Sequence, residues 1–219
     1  MTSERRRCAP RTRGPRRAST TVLVPVKRLD QAKSRLAPLG EGSRRALARA
    51  FLLDTLDAAT GSSDVARVLV VTEDVTVGEA LRGRSGVRVV PGGEGLNEDL
   101  AAAAAAARED DPRTRLLVLC ADLPALRASD VDALLARHEP LVAVPDRHGV
   151  GTTALLCASA FEPRFGEASF AAHRAAGAHG LTEVGAGLRC DVDTPDDLAY
   201  ARSVGLGRHT RAADSTGAS

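Results

Sequence analysis

Short, almost continuous apolar runs alternate along this chain with longer segments whose apolar residues recur every three to four positions. The runs "TVLVPV" (21–26), "ARVLVVT" (66–72), "GVRVVP" (86–91), "TRLLVLCADLP" (114–124), "LVAVP" (141–145) and "TTALLCA" (152–158) read as strands. A last one is expected over "LRCDVD" (188–193), where apolar and polar residues alternate. Between them lie helical patterns. "SRRALARAFLLDTLDAAT" (43–60) places Leu47, Ala50, Phe51 and Leu56 at helical spacing, with Ser43 as N-cap. Shorter helices are expected over 75–82, over 128–139 with Ser129 or Asp130 as cap, near "SFAAHRAAGAHG", and over "PDDLAYARSVG" with Pro195 in the first turn. "LNEDLAAAAAAARED" (96–110) is helical by propensity, and its seven-alanine run carries no chemistry.

Strands alternating with helices predict an α/β fold whose largely parallel sheet is covered on both faces. Ligands in such sheets gather at the carboxyl ends of the strands. The polar residues that follow each strand are therefore the candidates: Lys27 and Arg28, Thr72 to Asp74, Gly92 to Gly95, Asp122, Asp146 to Gly151 and Asp193.

Composition narrows the function classes. At 219 residues and 43% hydrophobic, the chain suits one α/β domain over 21–207. Aromatics are only 2%, with no Trp and one Tyr, which argues against stacking platforms for single-stranded nucleic acid. The net charge of +2 hides an asymmetry. Residues 1–20 carry seven Arg and one Glu and read as a disordered basic arm, 208–219 read as a disordered tail, and the body between is mildly acidic. That is not the charge pattern of a nucleic-acid binder. No apolar run is long enough to span a membrane, and the Arg-rich arm lacks the apolar stretch of a secretory signal, so a cytoplasmic location is expected. The four cysteines form no C-x-x-C pair, and three lie in apolar runs as small hydrophobes. The five histidines have no zinc-ligand spacing.

Basic residues give the sharpest signal. Of 30 Lys+Arg, only Lys27 and Lys33 are lysines, and they fall within one short stretch, "VKRLDQAKSRL", beside Arg35. A basic loop after the first strand is one way to hold a polyphosphate, lysine acting as a compact charge and arginine as a planar fork. Asp122 ends the most apolar strand, where a carboxylate can hold Mg²⁺ against phosphates. Asp193, nearer the tip of its segment than Asp191, is the second carboxylate chosen. Asp196 and Asp197 are assigned to the helix dipole. Gly149 and Gly151 with Thr152 and Thr153, and Gly166 with Ser169, offer backbone amides and hydroxyls to an anion. His173, one turn after Ser169, reads as a hydrogen-bonded structural or substrate-edge histidine rather than a base.

Taken in order, "VPVKRLDQAKSRLAP", "LNEDL", "LCADLPAL", "GVGTTALL", "RFGEASFAAHRAAGA" and "LRCDVDTPDDL" resemble the 2-phospho-L-lactate/phosphoenolpyruvate guanylyltransferases of coenzyme F420 biosynthesis, over about residues 22–204. The resemblance implies a three-layer, Rossmann-like nucleotidyltransferase (GT-A-like) fold with a mostly parallel mixed sheet. By position it implies that Lys27, Lys33 and Arg35 hold the GTP phosphates, that Asn97 lies beside the nucleotide, and that Asp122 and Asp193 bind Mg²⁺. Thr152, Gly166 and Ser169 would hold the phospho-acid. This chain has "GTT" where the family often has GTN, which leaves Thr153 as an alternate contact and leans the acceptor toward phosphoenolpyruvate rather than 2-phospholactate. The partners implied are small molecules, with a homodimer left open. Transfer to a sugar phosphate or molybdopterin, and a non-catalytic nucleotide-binding regulator, are the competing readings.

Overall fold

A computed structural model describes residues 19–28, 33, 36, 40–158 and 162–216. Seven strands, β1 (Thr20–Pro25), β2 (Val65–Thr72), β3 (Val87–Pro91), β4 (Arg115–Leu119), β5 (Leu141–Pro145), β6 (Thr152–Cys157) and β7 (His179–Gly180), form one sheet in the order β3-β2-β1-β4-β6-β5-β7. All neighbouring pairs are parallel except those of β6, which runs against both β4 and β5. The mixed, mostly parallel sheet is as expected.

The period of two along each strand builds two cores. Val22, Val24, Val68 and Val70 pack on one face with Leu52 and Leu56 of α1 (Glu41–Gly61), Val77 of α2 (Val75–Ala80) and Val131 and Leu134 of α4 (Ala128–Leu135). On the other face Leu23, Leu69 and Val118 meet Leu100, Ala103, Ala104 and Ala107 of α3 (Leu96–Asp110). Three of the seven alanines thus pack closely on the sheet. Three layers result, with Phe170 of α5 (Ser169–Ala175) packed on the α3 side, while α6 (Pro195–Val204) packs near α1.

A third apolar cluster lies under the carboxyl edge of the sheet. It joins Leu36 of the basic loop, Leu47 and Phe51 of α1, Ala125, Cys190, Val192 and Leu198 of α6. Leu36 is fully buried, and its N–H donates to the Lys33 carbonyl at 2.9 Å. Apolar burial therefore anchors the loop that carries the second lysine.

Four expectations need correction. Residues 188–193 form no strand: a short 3-10 turn over Ala186–Arg189 leads into irregular chain. The alternation is real, because Leu188, Cys190 and Val192 are wholly buried, but the segment adds no rung to the sheet: Leu188 N–H bonds back to Gly185 O at 3.0 Å, and Val192 N–H reaches Asp122 O at 3.1 Å. Helix α1 starts two residues before Ser43, with Gly40 at φ 81 in the cap position. Arg127, rather than Ser129 or Asp130, caps α4, and Asp130 reaches back to accept its N–H at 3.0 Å. That helix stops at Leu135, where Arg115 of β4 takes the carbonyls of Leu135 and Arg137. Finally, 208–216 is not a loose tail but helix α7 (Arg208–Thr216). Asp54 of α1, 4% exposed, accepts the N–H groups of His209 and Thr210 at 3.0 and 2.8 Å, and so supplies the cap that α7's own sequence lacks. The N-terminal arm over 1–18 lies outside the described residues. No helix among the described residues is long and apolar enough to cross a membrane.

Candidate active site

The parallel strands β1 to β4 end at one edge, and a cleft of about 750 Å³ opens there. Lys27, Arg28, Lys33, Asp122 and Asp193 line it, together with Thr72 and Glu73 after β2 and Gly93 and Gly95 after β3. Residues drawn from positions 27 to 193 therefore share one site. Lys27 and Arg28 are exposed at its mouth. Arg35 lies outside the described residues.

Lys33 and the two expected metal carboxylates are in direct contact. The Lys33 ammonium donates to Asp193 Oδ1 at 2.7 Å and to Asp122 Oδ2. Burial works against its charge, but Asp122 and then Asp193 outweigh it and hold the ammonium well above the usual lysine range. Lys33 also sits at φ 59, in the left-handed region, which costs a non-glycine residue about 1–3 kcal/mol. The two carboxylates offset that cost.

Asp122 is fixed through its backbone. Its carbonyl accepts from Val192, and the next N–H, that of Leu123, donates to the buried Thr55 hydroxyl of α1 at 3.2 Å. Its Oδ1 is buried with no hydrogen-bond partner among the described residues. Asp191 was passed over in favour of Asp193, yet residues two apart in extended chain share a side. Burial first, and then Asp122, Asp146 and Asp193, push the Asp191 carboxyl up to about 8. A third carboxylate thus crowds the pair. An orphaned buried oxygen on Asp122, beside the carboxylate of Asp193, suits a hard divalent cation, which takes oxygen ligands.

Asp197 does more than complement a helix dipole. It is 5% exposed, and its Oδ2 accepts the N–H groups of Asp193 and Thr194 at 3.2 and 2.8 Å. Its Oδ1 accepts from Arg147 at 2.7 Å, and Arg147 also lies over the Tyr200 ring. The β5–β6 loop is thereby tied to the segment that presents Asp193.

The residues expected around the acceptor are brought together, but mostly in the interior. Thr152 and Ser169 are 4% and 3% exposed and bond to each other, Thr152 N–H to Ser169 Oγ at 3.0 Å. Thr152 Oγ1 meets His173 Nδ1 at 2.9 Å. The Arg164 backbone N–H donates to His173 Nε2 at 3.1 Å, so that nitrogen is the acceptor and the ring is neutral with its proton on Nδ1. Burial, then Arg164, lower its pKa in the same sense. Thr153 is spent on the carbonyls of Leu188 and Val144. Gly166 alone of the expected set is exposed, next to Phe165, which lines the cleft. Asn97 does not face the cleft: its amide accepts from Phe165 N–H at 2.8 Å and donates to Phe165 O at 3.0 Å. It fastens α3 to the 162–166 segment.

Cys120 lines the cleft and donates to the Thr152 carbonyl, and burial raises its thiol pKa, so it is a poor nucleophile. Asp54, Asp57 and His209 form a second group of potential ligands. Asp54 is committed to the α7 N–H groups and Asp57 to Arg84 and Arg208, so these charges are already answered.

Sequence reasoning weighed Asp191 and Asp197 but gave neither a role in the site, included Glu73 only among the polar residues that follow a strand, and missed Thr55 and Phe165. Alternation with the buried Cys190 and Val192 was the available signal for Asp191; the others act through residues far away in the chain.

Comparison with known proteins places this geometry. Phosphoenolpyruvate guanylyltransferase of Mycolicibacterium gilvum is 43% identical over 203 residues, spanning 88% of this chain and 94% of the relative. That of Streptomyces avermitilis is 44% identical over 205 residues, spanning 88% and 93%. The crystal structure of 2-C-methyl-D-erythritol 4-phosphate cytidylyltransferase from Francisella tularensis matches with a TM-score of 0.56 at 14% identity, covering 85% of this chain and all of the other, and so shares the fold. The family model described as "Guanylyl transferase CofC like" matches residues 20–212, and the chain belongs to that family.

Proposed function

We propose that this protein transfers GMP from GTP to the phosphate of phosphoenolpyruvate, within coenzyme F420 biosynthesis in the cytoplasm; its relatives carry the name phosphoenolpyruvate guanylyltransferase. A phosphate oxygen of phosphoenolpyruvate attacks the α-phosphorus in line. The bond from that phosphorus to the α,β-bridging oxygen breaks, pyrophosphate leaves, and an enolpyruvyl diphosphoguanosine forms. The second pKa of a phosphate monoester is about 6, so the nucleophile is ionised at neutral pH and no strong base is required. The obstacle is repulsion between two anions.

The observation that carries this reading is the contact of Lys33 with both Asp122 and Asp193 at the sheet's carboxyl edge. Lys33 and Lys27 supply positive charge to the triphosphate and to the departing pyrophosphate. Asp122, Asp193 and Asp191 would hold Mg²⁺, which when bound neutralises phosphate charge and orients it for displacement. Lys33, which holds both carboxylates, is the group that would turn to the phosphates when nucleotide binds. On the acceptor side Gly166 offers backbone to the phospho-acid. Thr152 and Ser169, locked to each other and to His173, support that wall from behind.

The test is a pyrophosphate-release assay that crosses GTP and ATP with phosphoenolpyruvate, 2-phospholactate and 3-phosphoglycerate, with product masses measured. Release with GTP and phosphoenolpyruvate, and a product of the expected mass, supports the reading. Faster release with 2-phospholactate reassigns the acceptor, and none with any pair makes the protein a nucleotide-binding regulator.

A further inference from the structure

We infer that Glu73 selects guanine over adenine, an inference that rests on the guanylyl-transfer reading above. Phosphates belong at the Lys33–Asp122 end of the cleft, at the tips of β1 and β4. The sheet order β3-β2-β1-β4 then leaves one direction for the nucleoside, across β1 toward the tips of β2 and β3. Neighbouring strands are about 4.8 Å apart, so the β3 tip lies roughly 14 Å from the β4 tip, a span suited to an extended nucleoside.

That far end is built from Thr72 and Glu73 on one side and the Gly92–Gly95 loop on the other. Asp99 holds the loop by accepting the N–H groups of Gly93 and Glu94 at 2.8 and 3.1 Å. Gly93, at φ 135, has no side chain between the loop and Glu73: a Cβ there would lie 3.6 Å from Glu73 Oε2. The Glu73 carboxylate therefore lies alongside the glycine loop, open to the cleft.

Four carboxylates line this cleft. Asp122 and Asp193 answer Lys33, and Asp99 answers the loop. Glu73 accepts no hydrogen bond from any described residue and is exposed. The chemistry of the bases makes use of it. Guanine presents two adjacent donors, N1–H and the 2-amino group, which match the two oxygens of a carboxylate as a charge-assisted pair. Adenine presents a lone pair at N1, which a carboxylate repels. One side chain thus attracts the right base and rejects the wrong one.

The experiment measures kcat/KM for GTP, ITP (which lacks the 2-amino group) and ATP with phosphoenolpyruvate and Mg²⁺, in wild type, Glu73→Ala and Glu73→Gln. Wild type should prefer GTP to ITP by about tenfold or more, the value of one charge-assisted hydrogen bond. In Glu73→Ala that ratio should collapse to within about twofold, and Glu73→Gln should gain activity with ATP relative to GTP. Wild-type ratios in Glu73→Ala, or an equal fall with all three nucleotides, would overturn the inference. Calorimetric titration of the same variants with GDP, IDP and ADP scores the same ratios without turnover. An enzyme that binds with these preferences but transfers nothing would sink the transfer reading and leave Glu73 standing.

Discussion

Lys33 donates to Asp193 at 2.7 Å across 160 residues of sequence, and the same ammonium reaches Asp122. On the proposed reading, a cation and a nucleotide entering the cleft would compete for these groups, and the lysine would change partners. Lys33→Ala should lower kcat by ~10²–10³, the cost of losing one preorganised charge at a developing anion. It should also leave the carboxylates unneutralised, so that the variant melts earlier than wild type without Mg²⁺ and is stabilised more by adding it. Calorimetry with and without the ion, beside turnover, checks both. A variant with wild-type kcat would remove Lys33 from the chemistry.

Asp122 presents a buried oxygen with no partner among the described residues. Asp122→Asn keeps the shape and removes the charge. The Mg²⁺ concentration for half-maximal turnover should rise by about tenfold or more. An unchanged Mg²⁺ titration would refute the ligand role.

His173 is held neutral by burial, by the Arg164 charge and by the Arg164 N–H aimed at Nε2. Its folded value lies below the unfolded value of 6.5, so the unfolded chain takes up the proton more readily and acid favours unfolding. Stability should be fully present above pH about 6.5 and decline toward pH 5. His173→Gln, without a titrating ring, should show a flatter profile over that window in urea denaturation, even if it is less stable at pH 7. Parallel profiles would show that the ring does not titrate on unfolding.

Asp54→Ala would strand the buried N–H groups at the start of α7, at about 1–3 kcal/mol each. We expect a loss of about 2–4 kcal/mol in chemical denaturation. EDTA should leave the wild-type Tm unchanged, since the charges beside Asp54 are met by Arg84 and Arg208. A chelator effect without nucleotide would point to an ion there instead.

Deleting residues 1–18 should leave turnover near wild type, because the family match begins at residue 20 and β1 at Thr20. Ser19 must stay, as its hydroxyl donates to Asp111 and its carbonyl accepts from Arg115. A large loss of rate would make the arm part of the site.

Strand periodicity and the rule that ligands gather at strand tips carried the reading as far as Lys27, Lys33, Asp122 and Asp193, which do line one cleft. What failed depended on partners remote in sequence. Helix α7 was missed because its cap is Asp54, 155 or more residues away. Residues 188–193 looked like a strand because burial of every second residue produces the same pattern with or without a ladder. Asn97, Thr152 and Ser169, which the family resemblance sets beside ligands, direct their hydrogen bonds to Phe165, His173 and one another. A hydroxyl or amide in a sequence does not reveal whether its partner is solute or protein.

The reversed direction of β6 has an outcome for how this scaffold can diverge. Because β6 opposes both neighbours, β5 ends and β6 begins at the edge where β1 to β4 also end, and the 146–151 hairpin lies at that edge. Asp146 closes that hairpin by accepting the N–H groups of Val150 and Gly151. On the proposed reading, lengthening or rewriting so short a turn would remodel the side of the cleft assigned to the phospho-acid while leaving untouched the strands assigned to the triphosphate. New acceptor preferences can arise there without rebuilding the donor half.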